Sequence, residues 1–170
     1  TTIAMGAGMM PIALGLGAFV RAHMAVINDD ALDAAGAGRG SPWGITGVSL
    51  RQPDTRDALL PQAGLYTLAL RDGGGERLRI IGSVTALQVA PDDLQAVVEC
   101  IAHADTRIVS LTVTEKGYCH DPATGELNER HPGIIHDLAE PLPPETAPGL
   151  VVEALRRRRA GRALRPLLRE

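Results

Sequence analysis

Residues 11–25 read PIALGLGAFVRAHMA, and this stretch decides the fold. An apolar run from Ile12 to Leu14 predicts a buried strand, a turn containing Gly15 and Gly17 follows, and a helical pattern begins directly afterwards. A strand, a glycine turn and a helix N-terminus in this order form the arrangement that holds a dinucleotide pyrophosphate. Gly15 would permit the tight turn, and Gly17 would let the backbone approach a phosphate. Val20 stands where a GxGxxG motif has its third glycine, and a GxG alone also occurs in turns that merely join a strand to a helix.

Composition and charge limit the kind of protein this is. The chain has 170 residues, which suits one domain with a sizeable core, and its formal net charge is −3. That charge is too small to favour a nucleic acid or a membrane surface as the main partner, and no apolar run is long enough for a membrane span. Cys100 and Cys119 lack the spacing of a disulfide framework or zinc motif. A reduced, cytoplasmic setting is therefore predicted.

The rest of the pattern predicts an α/β fold of Rossmann type, with a mostly parallel sheet, flanking helices and an inserted β-hairpin. Extended segments are predicted at residues 43–50, 65–70, 78–89 and 108–113, and the glycine-rich stretch 72–75 predicts the hairpin turn. The first of these should pair in parallel with the strand at residues 12–14, and the last should be a central parallel strand. Helices are predicted at residues 18–35, 54–60, about 94–103 and 150–159.

Basic and acidic residues near the glycine turn are candidates for binding a cofactor. Arg21 lies one turn into the predicted helix, where it could reach a phosphate or simply face solvent. Asp54 follows the second strand, where an acid normally binds the ribose hydroxyls of NAD, but it could equally cap the next helix. Arg51 and Arg56 could instead accept a 2′-phosphate, so NADP stays open.

A second segment of interest, TVTEKGYC, spans residues 112–119 at the end of a predicted strand. Ligands of open α/β sheets bind at the carboxyl edge, so Glu115 could take or relay a proton there. The alternative is a charged turn residue paired with Lys116. The spacing of the histidines at 120, 131 and 136 fits no ligand motif, and no metal is predicted. The arginine run at 156–159 is typical of a solvated helix end.

Five segments in order resemble one family: GLGAFVRAHMA, WGITGVSLR, RDALLPQAGLYTL, IVSLTVTEKGYC and HDLAEP. They are similar to the polyol-specific long-chain dehydrogenases, which include mannitol 2-dehydrogenase and fructuronate reductase. The resemblance implies a Rossmann-type domain at residues 11–161. It also implies an NAD(P)-dependent, metal-independent interconversion of a polyol or sugar acid with its keto form. The segment before the domain is too short for a strand, so residues 1–10 are predicted to be a flexible leader.

The resemblance also implies roles for particular residues. Gly15, Gly17, Phe19 and Arg21 match the family's nucleotide-binding segment, and Asp54 approximates its ribose-binding acid. Thr112 is also predicted to bind the cofactor, which is expected to be NAD, with NADP not excluded. Glu115 matches a family glutamate that relays a proton. Val20 departs from the family, which usually has a histidine at that place.

The family's catalytic lysine belongs to a second, largely helical substrate domain. The sole lysine of this sequence, Lys116, lies in the TEKGY segment, and residues 162–170 form an arginine-rich tail unlike the family. We therefore expect an incomplete, truncated domain that is inactive alone and meets its substrate only with a second domain. The alternative is a non-catalytic remnant or nucleotide-binding module. An uncovered sheet edge would favour self-association.

Overall fold

The computed structural model describes residues 10–37 and 43–164. It divides into two compact units. One contains the residues up to Asp93 together with Asp105–Thr112, and the other contains Leu94–Ala104 and the residues from Val113 onward. Of the predicted leader only Met10 is described, and it begins the first strand. The end of the predicted tail, residues 165–170, lies outside the described residues.

A four-stranded parallel sheet forms the centre of the first unit. The strands are β1 (Met10–Leu14), β2 (Ile45–Ser49), β5 (Val84–Val89) and β6 (Thr106–Leu111), in the order β5-β2-β1-β6. All five residues of β1 are buried, and the strand has a parallel neighbour on each side, as expected for a central strand of a parallel sheet. This order corresponds to the 3-2-1-4 order of a Rossmann sheet. The predicted α/β class, and the parallel pairing of the first two strands, are confirmed.

The helical segment after β1 is not the uninterrupted α-helix that the sequence predicts. A π-helical turn, Val20–Met24, comes before helix α1 (Ala25–Ala34). Two carbonyl groups here accept hydrogen bonds from distant residues: the Tyr66 hydroxyl donates to Arg21 O of the π-helical turn at 2.5 Å, and the Ser83 hydroxyl donates to Ala25 O, at the start of α1, at 2.6 Å. Burial raises the pKa of the Tyr66 phenol to about 12. These bonds attach the start of the helical segment to residues that lie much further along the chain.

The predicted hairpin exists, and it is formed by β3 (Tyr66–Asp72) and β4 (Gly75–Ile81), which pair antiparallel. It follows the short helix α2 (Asp54–Leu59) and a 3₁₀ turn, Leu60–Gln62. The prediction of one extended segment over residues 78–89 is wrong, because the chain leaves the hairpin after Ile81 and enters the main sheet as β5. The break is at Gly82, whose N–H donates to Asp29 Oδ1 at 2.9 Å.

Strand β6 is parallel to β1, as predicted, but the prediction that it is central is wrong. Among the described residues it is an edge strand of the sheet. Ile108, in this strand, is 48% exposed. An apolar, β-branched run predicts a strand without telling which of its sides will be covered.

Helices form most of the second unit: α3 (Leu94–Ala102), α4 (Pro132–Ala139) and α5 (Ala147–Leu164). None of the helices in the described part of the chain is long and apolar enough to cross a membrane. Helices α3 and α5 pack together, and the Arg158 guanidinium donates to His103 O at 3.1 Å, just after α3.

Asp137, on α4, fastens the start of α5. Its carboxylate accepts the Glu145 N–H at 2.8 Å and the Thr146 hydroxyl at 2.6 Å, and Thr146 in turn accepts the Gly149 N–H at 3.0 Å. Burial alone would raise the pKa of Asp137, but the hydrogen bonds that it accepts outweigh burial and lower it.

Candidate functional site

The glycine turn lies at the carboxyl edge of the sheet, where β1 ends. The N–H groups of Gly15 and Leu16 both donate to Val48 O in β2, at 2.9 and 3.2 Å, and Gly17 N–H donates to Gly15 O at 2.7 Å. Gly15 has a φ of +100°, a conformation that residues with a side chain rarely adopt. The turn therefore requires glycine at position 15 for backbone reasons.

Thr112 gives a second reason for that glycine. A Cβ on Gly15 would lie 2.7 Å from Thr112 O and 3.0 Å from Thr112 Oγ1. The Thr112 hydroxyl donates to Gly15 O at 2.5 Å, and its N–H donates to Leu14 O at 2.9 Å. Thr112, which follows β6 and is predicted from the sequence to bind the cofactor, thus holds the glycine turn in place.

Gly17, unlike Gly15, has open space where a side chain would lie. No atom lies within 4 Å of the place where its Cβ would be, and its φ is ordinary. The next residues open the helix, and the first N–H groups of a helix have no partner inside it. No acidic residue occupies the first turn of the π-helical segment, so the positive end of the helix dipole is not neutralised there. An anion could approach the backbone at this point.

Phe19 and Arg21 lie in that first part of the helix, and they differ in exposure and in their contacts. Phe19 is 65% exposed, and its ring lies 4.7 Å from the ring of His23. Arg21 donates from Nη1 to Leu16 O at 2.7 Å and to Thr55 Oγ1 at 3.4 Å. The second alternative for Arg21, a solvated helix face, is wrong because the side chain is half-buried and links the glycine turn to α2. No motif in the sequence points to Thr55 as a partner of Arg21.

Val20, in the place of a third glycine, is fully buried. It belongs to an apolar cluster with Ala13, Leu16 and Ile45. Leu16 packs against Gly47 of β2, which has no side chain at this point. A Cβ on Gly47 would lie 2.5 Å from Leu16 Cδ2. Close packing of the turn on the sheet therefore depends on a glycine in the second strand.

Helix α2 brings charged residues to the same edge. Asp54 is exposed in its first turn, and the residue at the cap is Pro53, so the prediction that Asp54 is the helix cap is wrong. Arg56 forms ion pairs with Asp57 and with Asp92, which follows β5. Hydrogen bonds to Asp57 and then Asp92 raise the pKa of Arg56.

Glu115 lies in the other unit, in the 3₁₀ turn Glu115–Tyr118. Its side chain is 79% exposed, and its Oε1 lies 3.6 Å from His120 Nε2. Nearby Cys119 is buried, and burial, followed by the charge of Asp137, raises the pKa of its thiol.

The other histidines have separate local partners. His131 accepts the Gly133 N–H at the start of α4, and His136 lies 3.1 Å from Asp137. Within the described ranges, no group of three His, Cys, Asp or Glu side chains is arranged to hold a metal ion.

Comparison with known proteins places this geometry in a family. The family model for the mannitol dehydrogenase Rossmann domain matches residues 9–167. Mannitol 2-dehydrogenase of Pyrenophora tritici-repentis is 44% identical over 156 residues, which are 90% of this chain and 27% of that protein. D-mannonate oxidoreductase of Escherichia coli is 43% identical over 150 residues, which are 86% of this chain and 30% of that protein.

A solved structure agrees with this. The Pseudomonas fluorescens mannitol 2-dehydrogenase, in a ternary complex with NAD and D-mannitol, matches with a TM-score of 0.79 and 42% identity. The match covers 94% of this chain and 32% of that one. The chain thus spans less than a third of the length of these relatives. It belongs to the mannitol dehydrogenase family and corresponds to that family's Rossmann domain.

Proposed function

We propose that this chain binds a nicotinamide dinucleotide, NAD or NADP, at the glycine turn. The observation that carries the proposal is the open space at Gly17, directly before a helix N-terminus with no acidic residue in its first turn. A pyrophosphate would accept the N–H groups at the helix start, and Gly17 is the residue whose lack of a side chain allows its approach. Gly15 and Thr112 would keep the turn in shape.

The remaining residues would act around that anion. Arg21 would position the turn through Leu16 O, the exposed ring of Phe19 would offer an apolar surface, and Asp54 would accept the ribose hydroxyls. When bound, the nicotinamide supplies the hydride acceptor or donor for oxidation or reduction.

The reaction follows by analogy with the relatives, which are mannitol 2-dehydrogenases and a D-mannonate oxidoreductase. We propose that this chain serves an oxidoreductase that interconverts a polyol or sugar acid with its keto form. The family resemblance assigns the catalytic base to a lysine of a substrate domain, whereas Lys116 belongs to the TEKGY segment. These 170 residues should therefore bind the cofactor without turning over a substrate.

Glu115 is proposed as a proton relay rather than a cofactor contact. Its carboxylate is solvent-exposed, and Oε1 lies 3.6 Å from His120 Nε2, so a small side-chain movement would let the two groups exchange a proton. A Glu115→Gln substitution should consequently leave the affinity of this chain for NADH unchanged, and a tenfold loss would make Glu115 a cofactor contact instead.

The test of binding compares two glycines that both have open space around them. NADH is titrated into wild type, Gly17→Ala and Gly73→Ala, and binding is followed by calorimetry and by nicotinamide fluorescence. Gly73 lies in the hairpin turn and also has no atom within 4 Å of its would-be Cβ. Gly17→Ala should weaken NADH about tenfold or more, because a methyl group would occupy the phosphate approach, and Gly73→Ala should not change it.

Equal NADH affinity in all three proteins would refute the glycine-turn site, and no NADH binding by wild type would refute the function. The same preparations are then assayed with mannitol, fructose and fructuronate. Turnover by this chain alone would contradict the assignment of catalysis to a separate lysine.

A further inference from the structure

Two basic side chains, Arg51 and Arg56, lie near the segment that links β2 to α2, where the ribose of a dinucleotide is normally bound. An arginine at this place accommodates the 2′-phosphate that distinguishes NADP from NAD. Whether such an arginine acts in this way depends on whether its guanidinium is available. The contacts of Arg56 show whether its guanidinium is free to bind a phosphate.

Arg56 lies in the short helix α2, whose first turn is connected to the glycine turn. The preceding residue, Thr55, accepts a hydrogen bond from Arg21, and Arg21 also donates to Leu16 O of the turn. The first turn of α2 is therefore connected to the glycine turn through one side chain. A dinucleotide held at Gly17 would extend toward this first turn with its adenosine end.

The guanidinium of Arg56 is already occupied by two carboxylates. Nε donates to Asp57 at 2.8 Å, and Nη1 donates to Asp92. Asp92 is held close by in turn: Ala90 N–H donates to Ser49 O, the end of β2, at 2.9 Å, and Asp92 N–H donates to Val89 O at 3.1 Å. The loop after β5 is thus fixed to the end of β2 and presents Asp92 to Arg56.

We propose that Asp92 is a specificity residue that favours NAD over NADP by holding the Nη end of Arg56 away from a 2′-phosphate. The inference rests on the dinucleotide site proposed above. Asp57 accepts from Nε alone, whereas Asp92 accepts from Nη1, so the terminal pair Nη1 and Nη2 can bind a phosphate bidentately only if Asp92 releases Nη1. Asp92 would also repel a 2′-phosphate through its own negative charge.

The experiment uses two pairs of probes that differ by the 2′-phosphate alone: NADPH against NADH, and 2′,5′-ADP against 5′-AMP. Affinities are measured for wild type, Asp92→Asn, Arg56→Gln and the double variant. Asp33→Asn is the control, because Asp33 is also exposed in the same unit and its loss changes the net charge equally. Circular dichroism and thermal melting check that each variant is folded, and Asp92→Ser repeats the test with a shorter side chain.

Wild type should bind NADH more tightly than NADPH. Asp92→Asn should tighten NADPH and 2′,5′-ADP about tenfold, the worth of one charge-assisted hydrogen bond, and leave NADH and 5′-AMP within twofold. The gain should vanish in the double variant and be absent from Asp33→Asn.

The proposal is overturned if Asp92→Asn binds NADH but gains nothing for NADPH. It is equally overturned if the gain persists without Arg56, which would assign the phosphate to Arg51 or to net charge. Failure of every variant to bind NADH or 5′-AMP is a different result, because it refutes the dinucleotide site itself.

Discussion

Replacing Gly15 with alanine should destabilise the protein far more than replacing Gly17, although the two residues are separated by one position. Alanine at a φ of +100° costs about 1–2 kcal/mol in backbone strain. Its Cβ would also lie 2.7 Å from Thr112 O, a backbone atom fixed by the hydrogen bond from Thr112 N–H to Leu14 O. Relief of such an overlap costs about 1–3 kcal/mol more.

The sum predicts a loss of about 2–5 kcal/mol for Gly15→Ala, a large part of the stability of an ordinary domain. Gly17→Ala meets no atom within 4 Å and should change the unfolding free energy by less than about 1 kcal/mol. Urea unfolding measured through the emission of Trp43, the one tryptophan, reports on the unit that contains both glycines. Unfolding free energies for the two variants within about 0.5 kcal/mol of each other would refute the assigned overlap.

Three further predictions concern other parts of the chain. Tyr66→Phe should lose the hydrogen bond to Arg21 O. In wild type the folded pKa of Tyr66 is raised to about 12, so a part of the free energy of unfolding is present below about pH 10 and is lost between about pH 10 and 12. Tyr66→Phe should not show that loss. Asp137→Asn should remove a contribution to the free energy of unfolding that depends on pH. The folded pKa of Asp137 is lowered, so its carboxylate stabilises wild type above the ordinary value of 3.8, and this stabilisation is lost as the pH falls. In urea unfolding the two proteins should therefore differ less at pH 3 than at pH 6. The exposed edge strand β6 should promote self-association of the wild-type chain, and Ile108→Lys should reduce it. Sedimentation velocity measures the association, and a monodisperse wild-type monomer would contradict the prediction.

The sequence predicted the elements whose signals are local. The glycine turn, the second strand and the hairpin turn at residues 72–75 all combine an apolar run with glycine, and each was found where predicted. Of the features that depend on distant residues, the parallel pairing of the first two strands was predicted, but side-chain contacts and the place of β6 in the sheet were not. The contact of Gly15 with Thr112 joins residues 97 positions apart, and the covering of β6 depends on its neighbours in the sheet.

In the candidate site, too, residues in local motifs were predicted, and contacts with distant residues were not. Gly17 was recognised because motif spacing reflects what a phosphate needs from the backbone. Arg21 was assigned to a phosphate or to solvent, whereas its side chain donates to a carbonyl of the turn and to Thr55. A single sequence shows which residue carries a charge, but it does not show which partner has already neutralised that charge.

This distinction decides how the two glycines and the two arginines should be interpreted. Gly15 serves the fold, whereas Gly17 is the residue that we propose serves the ligand, because a Cβ on Gly15 would meet backbone atoms and a Cβ on Gly17 would meet none. Arg56 is committed to Asp57 and Asp92, whereas Arg51 forms no ion pair with the residues that the structure describes. If binding of NADPH depends on any arginine in wild type, it should depend on Arg51, and Arg51→Gln should weaken NADPH while Arg56→Gln does not. The reverse pattern, with Arg56→Gln weakening NADPH in the wild-type background, would mean that a phosphate displaces Asp92 from the guanidinium.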